Sequence, residues 1–381
     1  MKKKPCGALL NDLSKVFDCV SHELLIAKLH AYGFDKSSLE LVHSYLSDRK
    51  QRVRIENTFS SWFEISHGVP QGSILGPLLF NIYICDIFMF IGNIDMMSYA
   101  DDNTPFLVGR ESEIVISELS TITKTIFNWF ENNGMKANPD KCHLIVTEND
   151  NFQIEHDNFL IENSVCEKIL GVKVDNKLTF KNHVETLCKK ASQKISALSR
   201  VSSYMNFYQK KLIVNAFITS HFSYCPLIWM FHSRKLNNCI NRIHERALRI
   251  IYDDYESSFR DLLNMDNSST IHERNLKKLA LEIFKVKNGY APEMMKDIFV
   301  IEEPCYNLRN DLKFKSYPIH SVQYGIQTLR FVAPKIWNSI PSECKNASSV
   351  YEFKRKISMW TPSNCPCRIC KTYIPQLGFI D

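Results

Sequence analysis

Three acidic side chains carry the chemistry open to this sequence. Asp12 closes a short, mostly apolar run from Ala8, and Asp101-Asp102 lies between two apolar runs within Met96 to Val108. Adjacent carboxylates with apolar flanks repel each other and lose hydration. A divalent cation relieves both penalties, and carboxylate oxygens are hard donors suited to Mg²⁺. Carboxylates brought together from neighbouring strands can hold two ions about 3.5–4 Å apart, an arrangement that serves phosphoryl transfer. An Asp-Asp pair alone is weak: Asp253-Asp254 occurs in the same chain and reads as a surface turn at a helix end.

Between the acids lies Gly68-Val69-Pro70-Gln71-Gly72-Ser73, a glycine-rich turn running into an apolar stretch. Gly68, Gly72 and Gly76 would let backbone approach a ligand where a Cβ collides. Gln71 can hydrogen-bond a base or nucleotide, and Ser73 can cap the following helix. Lys141 is a candidate to contact or protonate a leaving phosphate, or else a surface lysine.

Charge is distributed unevenly. Residues 1–180 hold 17 Lys+Arg and 24 Asp+Glu, whereas residues 181–249 hold 12 and 2. An acidic part joined to a basic one suits carboxylate chemistry beside a polyanion-binding surface, although a solvated basic helix face gives the same count. Lys189, Lys190, Lys194, Arg200, Lys210 and Lys211 are the candidate phosphate contacts. Near the C-terminus, Cys365, Cys367 and Cys370 make three thiols within six residues. Zinc needs a fourth ligand and no histidine follows, so free thiols are preferred over Zn²⁺.

These residues need elements to hold them. Ala8–Asp12 reads as a strand, and helices are expected from Ser21 to Leu29 and from Ser37 to Leu46, with Ser37 as N-cap. Strands are expected at Arg52–Ile55 and Trp62–Ile65, and an apolar helix from Ile74 to Ile91. Met96–Val108 reads as a hairpin with the carboxylates at its tip. A helix is expected at Glu113–Asn132, then strands at Cys142–Thr147 and Ile169–Val174. Amphipathic helix returns at Lys181–Leu198, breaks near Pro226 and recurs at Ile271–Lys287. The proline-rich last 90 residues read as irregular. The sequence starts without a secretory h-region, and its longest uncharged stretch, Leu212 to Ser233, carries too many polar groups for lipid. With 13 cysteines this predicts an intracellular protein of cytoplasm or nucleus, without membrane association.

Taken in order, Asp12-Leu13-Ser14-Lys15-Val16-Phe17-Asp18, then Gly68 to Pro77, then Tyr99-Ala100-Asp101-Asp102, resemble motifs A, B and C of reverse transcriptases of non-LTR, LINE-type retrotransposons. Trp129-Phe130 through Asn133-Gly134 to Asn138-Pro139-Asp140-Lys141-Cys142 resembles motif D. Leu170-Gly171-Val172 with Asp175, Leu178 and His183 is similar to the primer grip and first thumb helix. Tyr224-Cys225-Pro226-Leu227, Glu245 to Arg249, Leu308-Arg309-Asn310 and Trp337 to Pro341 resemble the post-polymerase region of Jockey/CR1-like elements.

The resemblance implies an α+β fold: a polymerase palm of antiparallel sheet with helices on one face over residues 1–178, lacking most of the fingers. Beyond the palm it implies a basic helical thumb or connection at 179–255 and a mixed C-terminal region with a Cys-rich tail at 256–381. It implies an RNA-directed DNA polymerase that joins dNTPs to a DNA primer on an RNA template, using two Mg²⁺ ions, with Mn²⁺ as substitute. Asp12, Asp101, Asp102 and the carbonyl of Leu13 would be the metal ligands, and Lys141 the motif D residue that contacts or protonates the pyrophosphate. Phe17 would be the steric gate against a 2′-hydroxyl, with core packing as its other reading; Asp18 would be structural, capping near Ser21. Only eleven residues precede Asp12, so a truncated copy is expected. The alternative is an inactive remnant that binds RNA or an RNA–DNA hybrid. An RNA-dependent RNA polymerase shares the paired aspartates, but Phe17 and the C-terminal half speak against it. Oligomeric state is not legible.

Overall fold

A computed structural model describes residues 4–11, 13, 15–92, 94–138, 141–147, 152–156, 159–299, 301–302, 313–314 and 328–361. The chain separates into two compact units, Met1–Leu178 and Thr179–Asp381.

The first unit is α+β. Its main sheet has four antiparallel strands in the order Met96–Tyr99, Asp102–Val108, Cys6–Leu10 and His143–Val146. Ala8 is the register point, facing Phe106 on one side and Ile145 on the other. Along Cys6–Leu10 burial alternates: Gly7 and Leu9 are covered, whereas Cys6, Ala8 and Leu10 are half-buried. The covered face lies beneath the helix Ser112–Asn132, whose buried stripe includes Val115, Leu119, Ile122, Ile126 and Phe130, the 3–4 spacing of an amphipathic helix. Gly7 makes that approach possible, since a Cβ there would meet Leu119 Cδ1 at 2.7 Å and Val115 Cγ1 at 2.8 Å.

Helices His22–Ala31 and Lys36–Leu46 come after the first strand. Ser21 caps the former by accepting from the Leu24 amide at 3.3 Å. Asp35, not the expected Ser37, caps the latter, accepting from Ser38 N at 2.8 Å; its carboxylate outcompetes a hydroxyl two residues inside the helix. Residues 50–64 form a slender hairpin, Lys50–Gln51 on Phe63–Glu64 and Arg54–Ile55 on Thr58–Phe59. The apolar stretch after the glycine turn is two helices, Leu75–Ile84 and Ile87–Ile91, not one. The interruption falls where Asp86 accepts from buried Lys28 Nζ at 2.9 Å, and Lys28 also donates to the Tyr83 carbonyl at 2.7 Å. The expected single strand at Ile169–Val174 is a hairpin, Cys166–Ile169 on Val172–Asp175, because Leu170 and Gly171 both take positive φ in a two-residue turn.

The second unit is mainly helical, with Lys181–Val201, Phe207–Ile213, Arg234–Tyr252 and Ile271–Lys287 as its longer early elements. The expected break at Pro226 is present: irregular turns lead to a short helix, Pro226–Trp229, with Pro226 in its first turn. The C-terminal part is less irregular than its prolines suggest. Leu329–Ser339 and Val350–Met359 pack with Ile271–Lys287 around Trp337, Phe353 and Phe284, and the Phe284 and Phe353 ring centres are 4.3 Å apart. No helix among the described residues is long and apolar enough to cross a membrane. The nine described cysteines are free thiols.

Candidate active site

The carboxylate pair sits where the apolar flanks place it. Tyr99 pairs with Asp102 across the hairpin, leaving Ala100 and Asp101 as a two-residue turn. Ala100 has φ 53°, a left-handed conformation that costs a residue with a Cβ about 1–2 kcal/mol. Asp101 is half-buried and Asp102 exposed. Beneath them Asn103, which sequence reasoning passed over, is fully buried: Ser98 Oγ donates to its Oδ1 at 2.7 Å, and its Nδ2 donates to the Asp101 carbonyl at 3.2 Å. Asn103 thus fastens the turn from below. The one hint in the sequence was an amide directly after the acidic pair.

Asp12 lies outside the described residues. Its neighbours do not: Asn11 forms an antiparallel bridge to Asn103, with Asn11 N donating to the Asn103 carbonyl at 3.0 Å, and Leu13 bridges Ala137. Leu13 is buried. On one side of position 12, Asn11 therefore sits beside the strand that carries Asp102; on the other, Leu13 lies against Ala137.

The glycine turn rests on the segment after the first strand. Val69 N donates to the Phe17 carbonyl at 2.9 Å, Gly68 N to the Val20 carbonyl at 2.7 Å, and His22 Nε2 to the Gly68 carbonyl at 2.8 Å. Gly68 has φ +88°, and a Cβ there would lie 2.9 Å from Asp18 Cα. At Gly76 a Cβ would lie 2.4 Å from the Pro70 carbonyl oxygen. These two glycines admit the chain's own backbone, which is a different use from the ligand approach expected of them. Gly72 has φ +82° and open space around it. Ser73 Oγ accepts from Gly76 N at 2.9 Å, the cap expected of it. Gln71 donates from Nε2 to Asp18 Oδ1 at 3.0 Å, so its amide is engaged by the neighbouring segment. Asp18 belongs to the short helix Val16–Cys19, while Ser21 does its own capping.

Phe17 is half-buried with its ring 4.4 Å from that of Phe80. The contact packs the ring against its neighbour in the helix Leu75–Ile84. Lys141 is exposed, after the buried Met135 and the bridge at Ala137. Among the described residues, which do not include Asp12, no group of three or more His, Cys, Asp or Glu side chains could hold a metal. Cys365, Cys367 and Cys370 lie outside the described residues.

The six basic candidates of the second unit divide. Lys189, Lys190 and Arg200 are exposed on Lys181–Val201, and Lys194 is half-buried with Nζ 5.6 Å from the Phe217 ring centre. Burial, with Lys194 and Lys190 nearby, holds the His221 imidazole below its ordinary value. Lys210 needs correction: its residue is 3% exposed and its Nζ lies 2.6 Å from both carboxylate oxygens of Asp253. Lys211 donates to Asp266 Oδ1 at 2.7 Å. Both ammonium groups are thus engaged by carboxylates of the protein itself, Lys210 by the exposed Asp253 and the partly exposed Lys211 by the largely buried side chain of Asp266.

Residues 1–174 match the family described as reverse transcriptase (RNA-dependent DNA polymerase). The first unit belongs to the reverse transcriptase family. Among curated proteins, this chain is similar to the probable RNA-directed DNA polymerase from transposon BS of Drosophila melanogaster. Identity is 27% over 266 residues, covering 66% of this chain and 29% of that protein. A second relative is the RNA-directed DNA polymerase from mobile element jockey of the same fly, 28% identical over 208 residues, 52% of this chain and 22% of the other. The chain spans under a third of the length of these relatives. Among solved structures, an apo telomerase from Candida tropicalis truncated of its C-terminal domain aligns at a TM-score of 0.36 with 16% identity, over 45% of this chain and 34% of that one.

Proposed function

We propose that this chain performs RNA-directed DNA synthesis of the non-LTR retrotransposon kind, joining a dNTP to a DNA primer on an RNA template. One observation carries the reading: the family match covers a unit whose acidic hairpin tip is hydrogen-bonded, through Asn103, to the strand segment ending beside Asp12. Because antiparallel partners share a face, the buried pair Asn11 and Asn103 supports a site on the opposite, open face, where Asp102 is exposed.

The donor set fits a hard divalent ion. Asp101 and Asp102 present carboxylate oxygens at an accessible turn, and Asp12 with the Leu13 carbonyl would complete the set. Two Mg²⁺ ions, or Mn²⁺, would supply activation of the primer 3′-hydroxyl and neutralisation of the departing pyrophosphate. The protein's own part is positional. Asn103 fixes the turn, and the bond from Gln71 to Asp18 ties the glycine turn to the segment carrying Phe17. Phe17, braced by Phe80, excludes a 2′-hydroxyl from the incoming sugar. Lys141 gives a proton or a contact to the pyrophosphate, and Lys189, Lys190, Lys194 and Arg200 grip the phosphate backbone of a hybrid.

Primer extension on an RNA template with Mg²⁺ tests this. Incorporation of dNTPs in strong preference to rNTPs, with Phe17→Val narrowing that preference, is expected. Equal use of both nucleotides by the wild-type chain, or no incorporation at all, overturns it.

A further inference from the structure

We infer that the hairpin of residues 50–64 is a stacking platform for an unpaired stretch of nucleic acid. This deepens the reading above and rests on it in one respect only, that the strand in question is the template.

Every residue from Lys50 to Glu64 is exposed, including Phe59, Trp62 and Phe63, which are 46%, 60% and 71% exposed. None of these rings is used to fold the unit. They are not scattered: the Arg52 guanidinium lies 4.0 Å from the Phe59 ring centre and 4.5 Å from that of Trp62. Arg52 has no carboxylate partner among the described residues, whereas the nearby Glu64 is taken by Lys50 at 3.0 Å. A flat cation held against two exposed rings offers π-faces to bases and N–H edges to phosphates, the two contacts that single strands reward regardless of sequence.

Charge favours the same occupant. Residues 49–65 carry four basic and two acidic side chains inside a part of the sequence that is otherwise strongly acidic. A polyanion avoids most of that surface and is drawn to this hairpin. Connectivity relates the platform to the site. Ile65 N donates to the Arg49 carbonyl at 2.9 Å, closing the stem, and His67 then bridges Ser21 just before Gly68. A duplex hides the faces of its bases, so the platform selects unpaired nucleotides.

Tryptophan fluorescence reads this surface directly. Of the five tryptophans, Trp129, Trp229, Trp337 and Trp360 are buried, and only Trp62 is exposed. Acrylamide quenching of the full chain therefore reports on Trp62. Saturation with an unstructured 12-nucleotide RNA is expected to protect it. A Phe59→Ala/Trp62→Ala variant is expected to bind that RNA at least about tenfold more weakly while binding an RNA duplex unchanged. Asp101→Asn is expected to keep the protection, so loss of the polymerase reading and loss of this one are separately visible. Unprotected Trp62 at saturating RNA, equal weakening for both RNAs, or protection that grows with protein concentration alone would overturn the proposal, the last marking a protein-binding face instead.

Discussion

Asn11 shows what a single residue can cost. Its side chain is 2% exposed, and neither its Oδ1 nor its Nδ2 has a hydrogen-bond partner among the described residues. A buried amide without partners forfeits its hydration for nothing. Asn11→Val is expected to raise the stability of the first unit by about 1–2 kcal/mol in urea unfolding; a loss of stability would mean that the amide is partnered after all. Asp101 and Asp102 were legible in the sequence because a charged pair between two apolar runs has few places to go but a turn. Lys210 was not. In sequence it is indistinguishable from Lys189, and only Asp253, 43 residues away, marks it as an internal ion pair. The bond from Gln71 to Asp18 was hidden for a related reason, since the two lie 53 residues apart.

Among the elements, periodicity located most helices to within a few residues, as at Ile271–Lys287 and Ser112–Asn132. It failed where one residue reverses the chain. Leu170-Gly171 turns an apparent strand into a hairpin, and a buried lysine accompanies the break in an apparent helix after Ile84. The C-terminal helices were hidden by their prolines, one of which, Pro334, lies inside Leu329–Ser339. Gly68 offers the sharpest test at this scale. Gly68→Ala must fit a Cβ 2.9 Å from Asp18 Cα at φ +88°. It is expected to destabilise the first unit by about 2 kcal/mol or more and to displace the Phe17 segment, read as a lower unfolding midpoint with lost activity. Relaxing the opposite strain, Ala100→Gly is expected to stabilise the hairpin by about 1 kcal/mol.

At the scale of the molecule, the acidic turn and the exposed Lys189, Lys190 and Arg200 belong to separate units. Hybrid binding is expected to weaken with salt, and neutralising Lys189 and Arg200 to reduce the log–log slope by about 1 for each phosphate that the variant leaves unneutralised. The second unit also carries a pH liability. Burial, reinforced by the neighbouring Arg274 and opposed by Asp266, pushes the His244 imidazole down to about 3 from its ordinary 6.5. The unfolded chain takes up a proton near pH 6.5 that the folded unit refuses. The stability is therefore full above that pH and is lost as pH falls toward the folded value. Between pH 6 and 4 the wild type is expected to lose up to about 1.4 kcal/mol per pH unit more than His244→Leu, measured by urea unfolding at each pH. Parallel slopes would show that His244 does not set this pH dependence.

Polymerase chemistry in this chain requires that Asp12 and Asp101 serve one site. Single-nucleotide incorporation by the wild type, Asp12→Asn, Asp101→Asn and the double variant measures it. Residues that act as a unit are non-additive, so each single variant is expected to lose at least about a thousandfold and the double to be no slower than either. An Asp12→Asn chain as active as the wild type, or two losses that multiply, would contradict it.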